Sequence, residues 1–129
     1  MNPLPAILIY DHDALFREGL RNFLLAAGCS EVRVVATVRE ALGALRHEHY
    51  EHVLIGLSQA FSCERRLATV AQRLQPTTKI FLLISAKDQP FIKDLSFEYI
   101  IKERVFSNLS ELLQSVSHPF TQTPKNGRR

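Results

Sequence analysis

The chain has 129 residues, 46% of them apolar, with 5 Gly and 6 Pro. That suits a single globular domain with its own core, and it excludes a low-complexity or disulfide-dependent chain. The formal charge of +3 resides in the tail, where Lys125, Arg128 and Arg129 carry the whole excess, so residues 1–124 are balanced.

In chain order, Ala6, Ile7, Leu8, Ile9 and Tyr10 read as a first buried strand, closed by the polar turn Asp11, His12 and Asp13. This apolar run is far shorter than a signal-peptide core, and no segment approaches transmembrane length, so a cytoplasmic location with no membrane contact is expected. Phe16, Leu20, Phe23, Leu24 and Ala27 then recur at three- and four-residue steps, one face of a helix with Asp13 as its N-cap and Gly28 as its stop. Val32, Val34 and Val35 suggest a second strand. A second helix carries Val38, Ala41, Leu42 and Leu45 on one side, with Thr37 before it as cap.

The central run Val53, Leu54, Ile55, Gly56, Leu57 and Ser58 reads as a strand buried on both faces. Gly56 is its odd member. It is either a tight turn out of the strand or a side-chain-free position where an open α/β sheet keeps its ligand groups. A loop over residues 58–62 leads to a helix with Leu67, Val70, Ala71 and Leu74, ended by Pro76. Residues 80–84 form a fourth strand. Beyond it Pro90 leaves only Phe91, Ile92 and Leu95 as an apolar set, so any fourth helix is brief. Tyr99, Ile100 and Ile101 are a fifth strand, and a last helix uses Leu109, Leu112, Leu113 and Val116, capped by Ser107 or Asn108.

Five strands alternating with helices predict a parallel sheet covered on both faces, with functional groups at the carboxyl ends of the strands. Those ends are Asp11 and His12, Gly56, Ser85 and Lys102. Cys29 and Cys63 show no metal or redox spacing and are expected to be free thiols. His47, His49 and His52, with Glu48 and Glu51, fall in a helix-to-strand connection where nothing holds the imidazoles on one face, so no metal site is expected there.

These strand-end residues resemble the receiver domain of two-component response regulators, and residues 7–20 resemble the opening of its NarL-like branch. The likeness runs from residue 6 to about 116. Ser85-Ala86 resembles the family's Thr/Ser-Ala switch, and Tyr99-Ile100-Ile101-Lys102 its aromatic residue and lysine. The resemblance implies a CheY-like (flavodoxin-like), doubly wound, five-stranded parallel α/β sheet with a shortened or irregular fourth helix, spanning residues 1–116. Residues 117–129 are then a basic linker or disordered tail.

The family holds Mg²⁺ on two acids after the first strand and an aspartate ending the third, and that aspartate takes a phosphoryl group from a histidine kinase. Here Asp11 matches the first acid, His12 stands at the second and Gly56 at the phosphoacceptor. The loop after the third strand lacks the usual proline, and the segment between Ser85 and Lys102 is several residues short. A glycine has no carboxylate to attack phosphorus. Asp11, His12, Gly56, Ser85 and Lys102 are therefore expected to be a remnant phosphorylation pocket without catalysis, cofactor or metal, in which Lys102 pairs with Asp11 or reaches backbone carbonyls.

The expected function is that of a degenerate receiver, a non-enzymatic module acting by phosphorylation-independent protein contacts and regulating transcription or another signalling protein. No helix-turn-helix pattern is present, so a DNA-binding effector domain is expected outside this chain. Phe91, Ile92, Leu95, Phe97, Tyr99, Ile101, Val105 and Phe106 crowd into sixteen residues, more than the shortened segment is expected to bury. They form the expected face for a homodimer or partner, built on the fourth helix, fifth strand and fifth helix. Competing readings are a small-molecule sensor in the space left at Gly56, with Lys102 drawing an anion, and nucleic-acid binding through the basic tail.

Overall fold

The computed structural model describes residues 6–29, 31–58, 62–91 and 97–106. The strands are β1 (Ile7–Tyr10), β2 (Val32–Val35), β3 (His52–Gly56), β4 (Lys79–Ile84) and β5 (Glu98–Ile101). The helices among these residues are α1 (Ala14–Ala26), α2 (Val38–His47) and α3 (Ser62–Leu74). All strand pairs are parallel and the order is β2-β1-β3-β4-β5. This is the doubly wound, flavodoxin-like order expected from the sequence, with the chain reversing direction across the sheet between β1 and β3.

Alternation along the strands sorts the core into two layers. Leu8, Tyr10, Val53, Ile55, Leu82 and Ile84 face Ala41, Leu45, Leu67 and Ala71 of α2 and α3. Ile7, Ile9, Leu54 and Leu83 face Leu20 and Leu24 of α1. Leu8, Ile9, Leu54 and Ile55 are fully buried, which explains why β1 and β3 read as unbroken apolar runs.

The helix ends are specified locally. Asp13 accepts hydrogen bonds from the amides of Leu15 and Phe16 and so caps α1. Gly28 sits at φ 107°, with its N–H on Leu25 O and the Cys29 N–H on Leu24 O, a Schellman stop that favours glycine at this position. Thr37 and Glu40 form a reciprocal capping box at the start of α2.

At the floor of the sheet, opposite the strand carboxyl ends, buried Gln75 ties the end of α2 to the connections that lead into β3 and β4. Its amide donates to Leu45 O and Glu48 O and accepts from Tyr50 N and Thr78 Oγ1. After β4, residues Ala86–Phe91 form a 3₁₀ segment containing Pro90, in keeping with a weak fourth helix. Loop residues 59–61, Ile92, Leu95, the side chain of Phe91, the expected last helix (Ser107 or Asn108 to Val116) and the 117–129 tail lie outside the described residues.

Cys29 is buried, Cys63 is exposed, and both are free. No helix among the described residues is long and apolar enough to cross a membrane.

Candidate functional site

The carboxyl ends of β1, β3 and β5 bring together Asp11, Gly56 and Lys102, while Ser85 follows the end of β4. Ile9 and Leu54 face α1, so positions 11 and 56, two residues further along each chain, belong to the same face. Asp11 is fully buried. Its Oδ1 accepts the Asp13 amide at 2.9 Å and its carbonyl accepts from Arg17 Nη1 at 2.7 Å, so the turn into α1 fixes the side chain. Lys102 Nζ lies 2.9 Å from Asp11 Oδ2 and 4.9 Å from the Phe16 ring centroid. That oxygen receives no hydrogen bond of good geometry among the described residues, so Lys102 meets its charge as an ion pair.

Gly56 is where the arrangement departs most from a phosphorylation site. A Cβ built on Gly56 would stand 1.9 Å from Asp11 Oδ2 and 2.5 Å from Asp11 Cγ. The space that a side chain at the end of β3 would use is filled by the Asp11 carboxylate. This corrects the expectation of room at Gly56 for a small molecule, because Asp11 occupies the volume and pairs with the cation meant to draw an anion.

His12 is exposed, with Nδ1 3.7 Å from Asp11 Oδ1. Ser85 does not reach Lys102 or Asp11 by any hydrogen bond among the described residues. Ser85 Oγ donates to Glu103 Oε2 at 3.2 Å, and the Ala86 amide donates to Glu103 Oε1 at 2.9 Å. The Ala86 amide, with help from the Glu103 amide, Ser85 and Lys102, holds the Glu103 carboxyl below its usual range. The sequence reading missed Glu103, although an acid directly after the strand-end lysine was available as a signal.

It also missed Glu64, buried in the first turn of α3, whose Oε2 accepts from Ser58 Oγ at 3.1 Å and Tyr10 OH at 3.4 Å. Burial and then the Glu64 charge raise the Tyr10 phenol above its ordinary value.

The site does not fit Mg²⁺. A hard, octahedral ion calls for several oxygen donors. Asp11 already has one oxygen on Lys102 and the other on the Asp13 amide, and the neighbouring positions offer an imidazole and a glycine. No group of three or more His, Cys, Asp or Glu able to hold a metal occurs among the described residues. The three histidines between the end of α2 and the start of β3 are dispersed: His47 bonds Gly43 O of its own helix, His49 meets Thr77, and His52 is buried against Phe81.

The residues of the expected interaction face differ in exposure. Val105 is fully buried in the α1-side core and contributes no surface, because it lies under α1 and not along the sheet edge. Phe97 packs on the α2/α3-side core. Ile101 is half-buried. Tyr99 and Phe106 stay exposed, at 42% and 45%, Tyr99 OH accepting from Gln89 and Phe106 set edge-on against Phe23 of α1.

No family model matches the chain, and no curated protein matches it in sequence. Its similarity to known proteins is structural. A CheY-like response regulator receiver domain from Methanospirillum hungatei JF-1 superposes with a TM-score of 0.70 at 22% identity, covering 91% of this chain and 99% of that one. The response regulator TrrA from Thermotoga maritima, solved in complex with Mg²⁺ and BeF, gives 0.72 at 22% identity over 86% and 97%. The signal receiver domain of an HD domain-containing protein from Pseudomonas fluorescens Pf-5 gives 0.72 at 19% identity over 90% and 96%. At such identities the likeness establishes the fold, which is that of CheY-like receivers, and leaves the chemistry to the site.

Proposed function

We propose that this chain is a pseudo-receiver: a signal-transduction domain with the receiver fold that works through protein contacts and takes no phosphoryl group. One observation carries the reading. At the end of β3 there is no nucleophile, and the Asp11 carboxylate, clamped by Lys102, fills the place where one would stand. The serine hydroxyl and backbone amide after β4 are likewise engaged by Glu103 inside the chain, so neither donor waits for an external anion.

With its internal groups so paired, the domain's output rests on surface. Tyr99 on the edge strand and, separately, Phe106 against α1 leave exposed aromatic area, which fits a second copy or a partner protein better than a phosphorylation switch. Regulation of transcription through an effector domain carried elsewhere belongs to the same proposal.

Intact-mass spectrometry after acetyl phosphate and Mg²⁺ treatment tests it. The expected result is an unchanged mass; a stable, Mg²⁺-dependent phosphoryl adduct overturns the reading. Sedimentation of the wild type against Tyr99→Glu tests the surface: self-association or partner binding lost in the variant supports it, and identical behaviour moves the interface elsewhere.

A further inference from the structure

A cavity opens between α2 and α3. It has a volume of about 290 Å³ and is lined by Val38 and Leu42 of α2 and by Cys63, Arg66, Leu67 and Val70 of α3. Val38, Leu42 and Val70 are only half-buried, while Leu67 is buried, so the walls are apolar and open on one side. Arg66 and Cys63 are exposed at the rim.

The electrostatics of this layer have one sign. Arg39 and Arg46 on α2 and Arg65, Arg66 and Arg73 on α3 are exposed, and none of them takes part in an ion pair among the described residues. Its two acids are engaged elsewhere: Glu40 receives the backbone amides of Ala36 and Thr37, and Glu64 is buried under Tyr10 and Ser58. Arg66 therefore presents a guanidinium without a carboxylate partner at the mouth of an apolar cavity. Arginine's planar donors suit a carboxylate.

We propose that this cavity binds a small anionic amphiphile, a medium-chain carboxylate whose alkyl part lies among Val38, Leu42, Leu67 and Val70 and whose head group meets Arg66. The volume sits at the small end of ligand pockets, which run roughly 300–1,000 Å³, and so selects a fragment-sized chain over a full phospholipid. The inference is independent of the state of the Asp11–Lys102 pair and stands whether or not the domain is phosphorylated.

Titration with octanoate, followed by methyl NMR, tests it on the full chain. Saturable shifts are expected at Val38, Leu42, Leu67 and Val70, with affinity in the high-micromolar to millimolar range for so few ligand atoms. Arg66→Gln should weaken octanoate by about fivefold, the upper worth of one exposed ion pair, and leave octanol unchanged. Val70→Phe, which fills the cavity with apolar volume, should abolish binding of both. Octanoate should also slow alkylation of Cys63 by iodoacetamide. Shifts centred on exposed Leu15 or Tyr99, octanoate binding indifferent to both substitutions, or no saturable binding would each overturn the proposal.

Discussion

Lys102 reaches across from the end of β5 to place Nζ 2.9 Å from Asp11 Oδ2, and the same oxygen stands 1.9 Å from where a side chain on Gly56 would begin. The pair and the glycine are therefore one device. The carboxylate can occupy its position only because residue 56 has no Cβ, and it is held there by the lysine and the Asp13 amide.

The first consequence concerns Gly56 itself. Its backbone does not lie in the left-handed region, where among the described glycines Gly28 alone is found, so Gly56→Ala is opposed by the Asp11 contact and not by φ. The change should cost about 1–3 kcal/mol, as overpacking does. In an Asp11→Ala background the added cost should shrink, since the colliding Oδ2 and Cγ are gone, although Asp11 Cβ at 3.1 Å still keeps the fit tight. Urea unfolding of the four-protein cycle measures it, and strict additivity would show that the two residues do not compete for the space.

Breaking the ion pair should be worse than deleting it. Lys102→Met leaves a fully buried carboxylate without its cation, and the loss should be about 3 kcal/mol, the low end for a buried pair because Lys102 itself is partly exposed. Asp11→Asn with Lys102→Met removes both charges and should be the more stable of the two variants. Equal melting temperatures for wild type, single and double variants would deny the interaction.

The third prediction is a pH dependence. His52 is buried with its ring stacked on Phe81 and neither ring nitrogen bonded among the described residues. Burial, and secondly the Lys79 charge, push its pKa from 6.5 down to about 4. The folded protein thus keeps a neutral imidazole while the unfolded chain takes a proton from about pH 6.5 downward. Stability is complete above that pH and falls by up to about 3 kcal/mol as pH drops toward 4, then levels off for this group. Glu40 and Glu103, whose carboxyls are held low, lose their contribution only below their ordinary value of 4.5. Chemical denaturation at intervals between these pH values should show the slope in wild type and lose it in His52→Phe; equal slopes would exonerate the histidine.

A fourth prediction falls on Gln75. Gln75→Leu keeps an apolar volume but strands Tyr50 N, Leu45 O and Glu48 O, each a buried or part-buried group. At about 1–3 kcal/mol per unsatisfied group, the total should exceed that of most single core truncations. Amide exchange should rise together at Tyr50, Thr78 and the end of α2, because one side chain bridges all three. A local change at α3 alone would argue that the network is not shared.

Much of this protein was decided locally and is legible in the chain. Unbroken apolar runs specify strands buried on both faces, three- and four-residue spacings specify the helix faces, and Asp13, Gly28 and Thr37 cap or stop their helices through contacts within a few residues. The departures at His12 and Gly56 are also visible in the sequence, since the absence of a carboxylate there needs no coordinates.

Tertiary structure alone decided what fills the resulting gap and which apolar residues reach the surface. That Asp11 takes the space beside Gly56, that Glu103 engages Ser85, and that Val105 goes under α1 while Tyr99 stays exposed all depend on residues far apart in the chain meeting at distances of a few ångströms. The open space between α2 and α3 is of the same kind. Periodicity says which face a side chain takes, whereas distance and free volume are set by how two faces meet, and that information resides in no single segment.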